Sequence, residues 1–439
     1  MGAAAHARTN QQTAFALHRR ALRRVRMTLP ARVHVVGGGL AGLSAAVTLA
    51  DRGIPVTLSE AAKQAGGRCR SFYDGLLDMV IDNGNHLVLS GNAAVTRYMR
   101  KIGAADRLTG PGRPEFHFLD RQRDRRWVFR PDEGRFPWWI LDAGRRVPGT
   151  ALRDYLRLLA LMRRHPGRRI DEVIRCDGPL WETFLRPLFI SALNTRPEEA
   201  SADLASAIVR ETLAKGGRYM HPLVATPTLA AAFVDPALDR LNRTGADIRL
   251  GRSLRAVRFE GNRAAALTFD EGEELLGPED HVIFAVPPWT AGKLLPGLKV
   301  PDAFHAIVNA HFRIAPPAGA PPMVGMTGGT AEWVFALADR MSVTVSAADH
   351  LLERDADDLA RILWRDVSAA YGLTAPLPAC RIVKEKRATF ASTPAQAARR
   401  PGARTAWSNL FLAGDWVDTG LPATIEGALR SGEVAASLV

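Results

Sequence analysis

Cysteine is scarce in this sequence, and long apolar runs do not occur. The 439 residues include three cysteines, Cys69, Cys176 and Cys380, which are odd in number and too widely spaced for a disulfide framework or a compact zinc knuckle. Their scarcity favours a reducing, cytoplasmic setting. No stretch of about 18 or more uncharged apolar residues is present, so the sequence predicts no membrane-spanning helix.

The overall composition is otherwise ordinary. Hydrophobic residues make up 47% of the chain and charged residues 23%, which excludes a mostly disordered or collagen-like protein. A chain of this length is too long for one simple hydrophobic core, because domains typically contain roughly 100–200 residues. We therefore expect two closely packed domains.

The charge is unbalanced, with a formal net charge of +13. Residues 1–30 contain six arginines and no acidic residue, and they lack the sustained apolar stretch of a secretory signal. We predict that they form a basic, disordered extension. The remaining charge of +7 fits a nucleic-acid partner, an anionic membrane surface or simply an arginine-rich composition. Because no aromatic-interleaved nucleic-acid motif accompanies the arginines, we predict no nucleic-acid partner.

The first strong local pattern is a strand, a glycine turn, a helix and a second strand within about 30 residues. A β-branched run at 32–36 leads into glycines, a helical pattern covers 43–51, and a second strand is predicted at 54–58. This order predicts one βαβ unit. Further strands are predicted at 246–250, 253–259, 263–269, 281–286 and 409–413, and a final helix at 423–438.

The glycine turn has the spacing of a dinucleotide fingerprint, formed by Gly37, Gly39 and Gly42. The first glycine permits the tight turn, the second lets the backbone approach a pyrophosphate, and the third allows close packing of helix on strand. Glu60 ends the second strand, where an acid can accept hydrogen bonds from ribose hydroxyls. Glycine turns also join strands to helices for purely structural reasons, so the flanking strand, helix and acid are what favour a nucleotide site.

Two further motifs favour a flavin over a nicotinamide dinucleotide. Gly66-Gly67-Arg68 follows the acid after a short turn, and it would let backbone and guanidinium approach the cofactor beyond its adenosine half. A loop with a solvated arginine would be the preferred interpretation if this motif stood alone. Gly414-Asp415 lies between a strand and the final helix, where amides and a carboxylate can meet the ribitol and phosphates.

These three pieces, in this order and spacing, resemble the superfamily of FAD-dependent amine oxidases and carotenoid desaturases over nearly all of residues 32–439. The resemblance implies FAD as the cofactor and an α/β fold. Its Rossmann-like FAD-binding domain would be assembled from discontinuous segments, with an inserted α+β substrate-binding domain. The FAD-binding segments are expected at 31–91, 241–299 and 405–439, and the substrate-binding segments at 92–240 and 300–404. The cofactor-binding residues that the resemblance implies are Gly37, Gly39, Leu40, Ala41, Gly42, Glu60, Gly67, Arg68, Gly84, Asn85, Leu254, Gly414, Asp415, Ala423 and Thr424.

Five further segments are similar, more narrowly, to the hydroxysqualene dehydroxylase family of bacterial hopanoid synthesis. They lie at 82–86, 135–139 with 146–149, 192–195 with 199–201, 308–312 and 420–427, in an order that makes coincidence improbable. One departure is Asn85, at a position where glutamine is expected for the family. The shorter amide weakens any role assigned to that position.

This narrower resemblance implies that the hydroxyl of hydroxysqualene is removed to give squalene, with a hydride from N5 of reduced FAD. The carbon that bears the hydroxyl neighbours an alkene, so departing water would leave a delocalised allylic cation for the hydride to quench. His86 is the preferred candidate to protonate the leaving hydroxyl, because histidine can hold a proton near neutral pH, and His311 ranks second. Both also fit satisfied structural histidines.

Substrate contact is assigned to four residues of the family-like segments, Trp138, Trp139, Asn194 and Asn309. Tryptophan faces would favour a cation in a dry pocket. Structural alternatives stay open, since the tryptophans can be core residues and asparagine is a favoured helix cap.

The implied substrate is a hydrophobic polyisoprenoid that is almost insoluble in water. It would enter from a bilayer or from the enzyme that makes hydroxysqualene, which is a candidate partner. An anionic membrane surface could be contacted at up to about 1 kcal/mol per residue by Arg163, Arg164, Arg168 and Arg169. We therefore expect a cytoplasmic protein that is peripherally associated with the inner face of the membrane.

Three rival functions remain at this point. A carotenoid or phytoene desaturase would run flavin chemistry in the opposite direction on a similar polyene. Amine oxidases commonly place a lysine near flavin N5 on the strand predicted at 307–314, and the absence of lysine between 300 and 383 argues against that activity. A prenyl-binding protein of the same fold would hold lipid without redox chemistry, but the intact glycine motifs favour a functioning flavin site.

Overall fold

The computed structural model describes residues 31–439, and the basic extension predicted at 1–30 lies outside the described residues. The strands of the described part are β1 (Val33–Val36), β2 (Val56–Glu60), β3 (Ser71–Asp74), β4 (Met79–Asp82), β5 (Leu87–Leu89), β6 (Leu108–Thr109), β7 (Phe116–Asp120), β8 (Arg125–Phe129), β9 (Pro222–Ala225), β10 (Asp247–Leu250), β11 (Leu254–Glu260), β12 (Arg263–Phe269), β13 (Gly272–Leu275), β14 (His281–Phe284), β15 (Phe304–Phe312), β16 (Met323–Thr327), β17 (Trp333–Ala336), β18 (Met341–Val345), β19 (Cys380–Phe390) and β20 (Leu410–Leu412). The α-helices of this part are α1 (Leu40–Ala50), α2 (Ala93–Ile102), α3 (Gly178–Leu180), α4 (Arg186–Leu193), α5 (Ala202–Glu211), α6 (Asp235–Arg243), α7 (Pro288–Leu294), α8 (Ala356–Tyr371), α9 (Pro394–Ala397) and α10 (Ile425–Ser437). Two 3-10 segments used below are Trp138–Ile140 and Leu152–Met162.

Five strands form a parallel sheet in the order β10-β2-β1-β14-β20. Its strands come from three remote stretches of the chain, and the register aligns Val36 with Ser59 on one side and with Phe284 on the other. Every residue of β1 is buried, as expected for a strand that is covered on both faces. This sheet is the Rossmann-like part of the predicted fold.

The elements around the glycine turn begin at positions that differ slightly from the prediction. The helix predicted at 43–51 starts at Leu40, because Gly39 already has the extended backbone of an N-cap residue (φ −73°, ψ 175°). The third fingerprint glycine therefore lies inside the helix. The second strand begins at Val56, later than predicted, since Pro55 has no N–H to donate to a ladder.

Helix α10 packs closely on α1. A Cβ on Gly432 would lie 2.2 Å from the Ala41 carbonyl oxygen, so this approach requires glycine. The Ser44 hydroxyl donates to the Leu429 carbonyl oxygen at 2.9 Å. The N-terminal and C-terminal elements of the described chain are thus joined in one core.

Two helices that the sequence assigned largely to the substrate-binding segments share that core. Tyr98 of α2 and Leu241 of α6 are buried together with α1 and the parallel strands. The Tyr98 hydroxyl donates to the Phe233 carbonyl oxygen at 2.8 Å and so links the two helical regions. The boundaries at 91/92 and 240/241 stay a prediction, and this packing favours placing both helices in the nucleotide-binding domain.

The second domain is built on a seven-stranded sheet in the order β19-β15-β18-β17-β16-β7-β8. Helix α8 covers one face, where Val308 and Phe312 are fully buried and Phe312 lies 5.2 Å from Trp364, ring centre to ring centre. Alternate residues of the same strand, Asn309 and His311, point to the opposite face, which is turned toward the nucleotide-binding segments. This is the α+β architecture predicted for the substrate-binding domain.

Candidate active site

The fingerprint glycines occupy positions where a side chain would meet the backbone or a cofactor. Gly37 has a φ of +110°, and a Cβ there would lie 2.4 Å from the Ala285 carbonyl oxygen. A Cβ on Gly42 would lie 1.9 Å from the Gly37 carbonyl oxygen. At Gly39, by contrast, no atom of the described chain lies within 4 Å of such a Cβ. The middle glycine therefore borders open space, as close approach of a pyrophosphate requires.

The start of α1 offers hydrogen-bond donors to that space. The first-turn N–H groups of Leu40, Ala41 and Gly42 have no intrahelical partners, as in any α-helix, and the N-cap glycine has no side chain to cap them. The positive end of the helix dipole adds to their attraction for phosphate. Glu60 accepts the Gly38 N–H at 2.6 Å, which holds its carboxylate beside the turn. These donors and this acceptor fit a dinucleotide that carries a pyrophosphate and a ribose.

The second glycine motif lies against the first and reaches the C-terminal motif. A Cβ on Gly67 would come 3.4 Å from the Cα of Gly39. Arg68 extends from this turn and pairs with Asp415, its Nη2 lying 2.7 Å from Oδ1, and it also donates to the Ala388 carbonyl oxygen. The structure thus brings the three predicted cofactor motifs together, although they are far apart in the sequence.

Gly414 and Thr424 shape the C-terminal side of this site. Gly414 has a φ of +153°, and a Cβ there would lie 2.5 Å from the Trp416 indole nitrogen. Thr424, which follows Ala423, caps α10 by accepting the Gly427 N–H at 3.1 Å. Contacts within the protein therefore fix the backbone at both positions without help from a cofactor.

Leu254 follows a turn that is tied to the acid at the end of β2. The Arg252 N–H donates to the Glu60 carbonyl oxygen at 2.8 Å, and the Gly251 N–H donates to the Ala62 carbonyl oxygen at 2.8 Å. These bonds hold the start of β11 beside the end of β2, and the cofactor contact of Leu254 stays a prediction.

His86 lies within electrostatic range of the ion pair between Arg68 and Asp415. It is half-buried, and burial lowers its pKa to about 4, with the Arg68 guanidinium adding to the effect and Asp415 opposing it. The imidazole is therefore neutral at pH 7. This corrects the expectation that His86 holds a proton near neutral pH, although a neutral ring still donates one hydrogen bond.

Asn85 joins the turn after β4 to the second sheet. Its Nδ2 donates to the Val343 carbonyl oxygen at 3.2 Å and to the Thr344 hydroxyl at 3.1 Å, and its backbone N–H donates to Asn309 Oδ1 at 3.4 Å. A Cβ on Gly84 would lie 3.0 Å from the Asn309 amide nitrogen. Asn309 also accepts from Thr344 at 2.8 Å and is 2% exposed, so it is a bonded interface residue rather than the open substrate contact predicted.

His311 faces the same interface but is fully enclosed. Its Nδ1 lies 2.8 Å from the Ser342 hydroxyl, and burial lowers its pKa to about 3, with the Arg340 guanidinium adding to the effect. Arg340 is itself 2% exposed and pairs with Asp82 at 3.2 Å. His311 is thus a neutral member of a buried polar cluster, and its catalytic role stays a prediction.

The other half of this sheet face is aromatic. Trp333 is aligned with Thr344 on the neighbouring strand, so its indole lies on the face that carries Asn309. Phe118 lies 5.6 Å from Trp333, ring centre to ring centre, and stacks on Trp127 at 4.4 Å. No sequence motif marks these rings, because they come together only through the order of strands in the sheet.

The aromatic cluster continues outward to Trp139. Phe184 contacts both Phe118 and Phe129, and Phe129 packs edge-to-face on Trp139 at 5.1 Å. Trp139 is 4% exposed and also packs on Tyr155, at 5.3 Å. Its place in the structure is that of a core residue, the second interpretation left open above.

The two remaining predicted substrate residues have other surroundings. Trp138 is 64% exposed and lies at the protein surface. Asn194 is 2% exposed and ends α4 with a left-handed backbone, at a φ of 47°. Its amide donates to the His305 carbonyl oxygen at 3.2 Å and accepts the Ala347 N–H at 2.6 Å. Helix capping therefore describes Asn194 better than substrate contact does.

Glu332 belongs to no motif, and only the structure draws attention to it. It precedes Trp333 at the start of β17, and its Oε2 accepts the Ser346 N–H at 2.8 Å. Burial raises its pKa to about 7, while the Ser346 N–H and the Arg186 guanidinium oppose the shift. A half-buried carboxyl whose pKa is raised this far can hold a proton near neutral pH, which suits a general acid.

Comparison with known proteins identifies the family. A family model described as flavin containing amine oxidoreductase matches residues 40–439. The chain is 50% identical over 409 residues to hydroxysqualene dehydroxylase of Rhodopseudomonas palustris, which covers 93% of this chain and 98% of the relative. The protein of the same name from Zymomonas mobilis is 45% identical over 405 residues, with 92% and 98% covered. The chain belongs to the hydroxysqualene dehydroxylase family.

Members of the hydroxysqualene dehydroxylase family within the flavin-containing oxidoreductases use FAD, and this chain is an FAD-dependent oxidoreductase. The residues present fit the cofactor, since Gly39 borders open space beside free helix N–H groups. Among solved structures, cyclohexylamine oxidase from Brevibacterium oxydans superposes with a TM-score of 0.65 at 15% identity, covering 93% of this chain and 98% of the other. This structural similarity confirms the predicted fold class alone.

Within residues 31–439, every helix is too short or too polar to cross a bilayer.

Proposed function

We propose that this chain removes the hydroxyl group of hydroxysqualene reductively and releases squalene, as a step in squalene and hopanoid synthesis. The observation that carries the proposal is end-to-end similarity to three relatives of that name, at 45–50% identity over 98% of their length. A cradle that fits FAD, with an aromatic face in the adjoining domain, supports the same chemistry.

FAD, when bound and reduced, supplies the hydride. The chain's own residues have to hold the polyene, exclude water and stabilise positive charge on the allylic carbon as the hydroxyl leaves. We assign substrate contact to Trp333, Trp127 and Phe118, in place of the exposed Trp138. Aromatic faces stabilise a desolvated cation by about 2 kcal/mol, and two of these rings are half-buried.

The leaving hydroxyl needs a proton, and we assign its source to Glu332. Its pKa of about 7 allows it to donate a proton at neutral pH and to be reprotonated between turnovers. His86, whose pKa of about 4 keeps it neutral, would orient the hydroxyl through a hydrogen bond. On this assignment turnover falls as pH rises through the pKa of Glu332.

The proposed setting is the cytoplasmic face of the membrane, where the substrate arrives from the bilayer or from the enzyme that makes hydroxysqualene. Of the arginines selected from the sequence, Arg164 pairs with Asp203 at 2.9 Å and Arg169 with Asp171 at 3.0 Å. These ion pairs partly neutralise the basic surface. Membrane contact therefore needs more than the four arginines.

Anaerobic incubation of the reduced enzyme with hydroxysqualene tests the proposed reaction. We expect squalene and oxidised FAD to form in equal amounts, while the oxidised enzyme, as a control, forms none. Flavin that stays reduced in the presence of hydroxysqualene, without squalene, would contradict the proposal. A more unsaturated product formed by the oxidised enzyme would indicate a desaturase instead.

A further inference from the structure

Exposed apolar side chains are concentrated in one short stretch of the chain. Of the sixteen large apolar side chains exposed on residues 31–439, seven lie between positions 136 and 162. They are 39–68% exposed and comprise Phe136, Trp138, Leu141, Leu152, Leu156, Leu159 and Met162. Contiguous apolar surface on a protein marks a binding surface more often than isolated exposed residues do.

The 3-10 geometry of Leu152–Met162 aligns part of this surface. Side chains three residues apart eclipse one another in a 3-10 helix. Tyr155 and Leu161 of this segment are buried, at 5% and 0% exposure, and so mark its inner side. The outer side carries an apolar row formed by Leu156, Leu159 and Met162.

The 3-10 turn Trp138–Ile140 is fixed to the same layer of the protein. Trp139 packs edge-to-face on Tyr155, and the Tyr155 hydroxyl accepts the Val147 N–H at 2.9 Å. The exposed rings of Phe136 and Trp138 lie 5.8 Å apart, centre to centre. The two segments thus bury Trp139 and Tyr155 against each other and leave Trp138, Leu156, Leu159 and Met162 exposed to solvent.

The charge around this surface is strongly positive. Residues 135–169 contain nine arginines and two acidic residues. Arg153 lies three residues before Leu156 and so extends the apolar row at one end, while Arg163 follows its other end. In the described part of the chain, neither guanidinium pairs with a carboxylate, so both charges are available to an anionic partner.

We propose that this surface docks on an anionic lipid bilayer. The apolar row and the rings of Phe136 and Trp138 insert among the headgroups, and Arg153 and Arg163 contact lipid phosphates. Apolar and aromatic side chains flanked by arginine are the composition of an interfacial membrane segment. A second copy of the chain fits less well, because a symmetric contact would bring the unpaired arginines together.

The location of the surface relative to the aromatic cluster adds to this inference. Trp139 and Tyr155 lie directly beneath it, and the rings from Phe129 to Phe118 continue inward toward the sheet face. The identity of the lipid that would pass from the bilayer along these rings to the sheet face rests on the proposed function. Bilayer binding itself can be measured independently of turnover.

Flotation with vesicles of phosphatidylcholine and phosphatidylglycerol, mixed about two to one, tests the docking surface. The variant Leu156→Ser/Leu159→Ser/Met162→Ser should reduce vesicle binding about tenfold or more, since it removes three inserted side chains. Its matched control, Leu76→Ser/Leu250→Ser/Leu275→Ser, removes three exposed leucines elsewhere and should bind like the parent protein. Arg153→Glu/Arg163→Glu should bind the anionic vesicles more weakly than the parent protein, and its remaining binding should depend less on salt.

Turnover of hydroxysqualene in detergent separates this inference from the proposed function. The apolar-row variant should retain parental turnover in detergent and lose it only when vesicles deliver the substrate. Equal vesicle binding by the parent protein and the apolar-row variant would overturn the inference. If, in addition, the parent protein were a dimer and the variant a monomer, the surface would be a contact between two copies of the chain instead. Absence of turnover in detergent by the parent protein, with the binding difference intact, would count against the proposed function alone.

Discussion

The glycine turn of the nucleotide-binding domain and the face of the seven-stranded sheet that carries Asn309 are held in place by different kinds of contact. At the turn, Gly37 and Gly42 allow backbone atoms to approach so closely that any side chain would collide. On the sheet face, the roles of Asn309, Arg340 and Trp333 depend on side chains supplied by other strands. Short glycine motifs therefore mark the nucleotide side in the sequence, although distant segments complete it, whereas the opposite face has no such motif and depends on the order of strands in the second domain.

The largest effect expected from this comparison is at Gly42. Gly42→Ala would place a methyl group 1.9 Å from the Gly37 carbonyl oxygen, so we expect a loss of at least about 3 kcal/mol in the free energy of unfolding. Gly39→Ala meets open space in the protein alone, so the melting temperature of its FAD-free form should match that of the parent. Its affinity for FAD should fall roughly 10- to 100-fold.

Thermal melts of the FAD-free proteins and titration with FAD separate these two effects. If Gly39→Ala binds FAD as the parent does, the open space beside the turn is not where the cofactor lies.

The buried ion pair on the polar half of the sheet face should show the next largest effect. Arg340→Met leaves Asp82 without its cationic partner, and we expect a loss of about 3–5 kcal/mol in the free energy of unfolding by urea. The double variant Arg340→Met/Asp82→Asn should recover most of that loss, because no uncompensated charge remains. A loss below about 1 kcal/mol for Arg340→Met would show that the side-chain network matters less than we infer.

Glu332 should make both stability and turnover depend on pH. Because its pKa is raised to about 7 in the folded protein, the unfolded chain ionises first as pH rises, and stability falls between about pH 4.5 and 7. Glu332→Gln stays neutral, so it should match the parent protein near pH 5 and exceed its stability by about 2 kcal/mol near pH 8. Urea unfolding at both pH values checks this, with the exposed Glu353→Gln as the control.

The same variant tests the assigned proton transfer. Glu332→Gln should lower turnover about 100-fold and remove the decline of turnover above pH 7. A variant that keeps both the parental rate and the parental pH profile would exclude Glu332 as the proton donor.

The smallest expected effect is on the aromatic half of the face. Trp333→Leu should lower turnover roughly tenfold, because it removes a ring that we propose faces the allylic cation, and FAD content should be unchanged. Trp407→Leu removes a half-buried ring stacked on Phe259 in the nucleotide-binding part of the chain and serves as the control. Equal turnover by Trp333→Leu and the parent protein would show that the reacting carbon does not lie against this half of the sheet face.

Sequence predicts the nucleotide side well because its constraints are local. Each glycine requirement is met within a few residues of a strand or helix end, so the family, the FAD cofactor and the fold class follow from motifs and are confirmed. The structure brings Arg68 and Asp415 together as those motifs indicate. The individual site residues stay predictions, to be decided by the variants above.

The sheet face is harder to predict because residue type alone leaves two roles open. Asn194 and Trp139 have surroundings suited to a helix cap and a core ring, and the choice depends on contacts with distant elements. Phe118 and Trp333 meet only because β16 lies between β7 and β17 in the sheet. The raised pKa of Glu332 likewise arises from burial, which no short motif encodes.

The strand order of the parallel sheet also has a consequence for biosynthesis. β1 ends at Val36 and β20 begins at Leu410, so about 20 to 75 s of ribosomal synthesis separate two strands of one sheet. During that interval α1 has no α10 to cover its apolar flank. The FAD cradle therefore cannot be complete until Asp415 and the last helix have been synthesised, and until then the apolar flank of α1 stays open to other contacts.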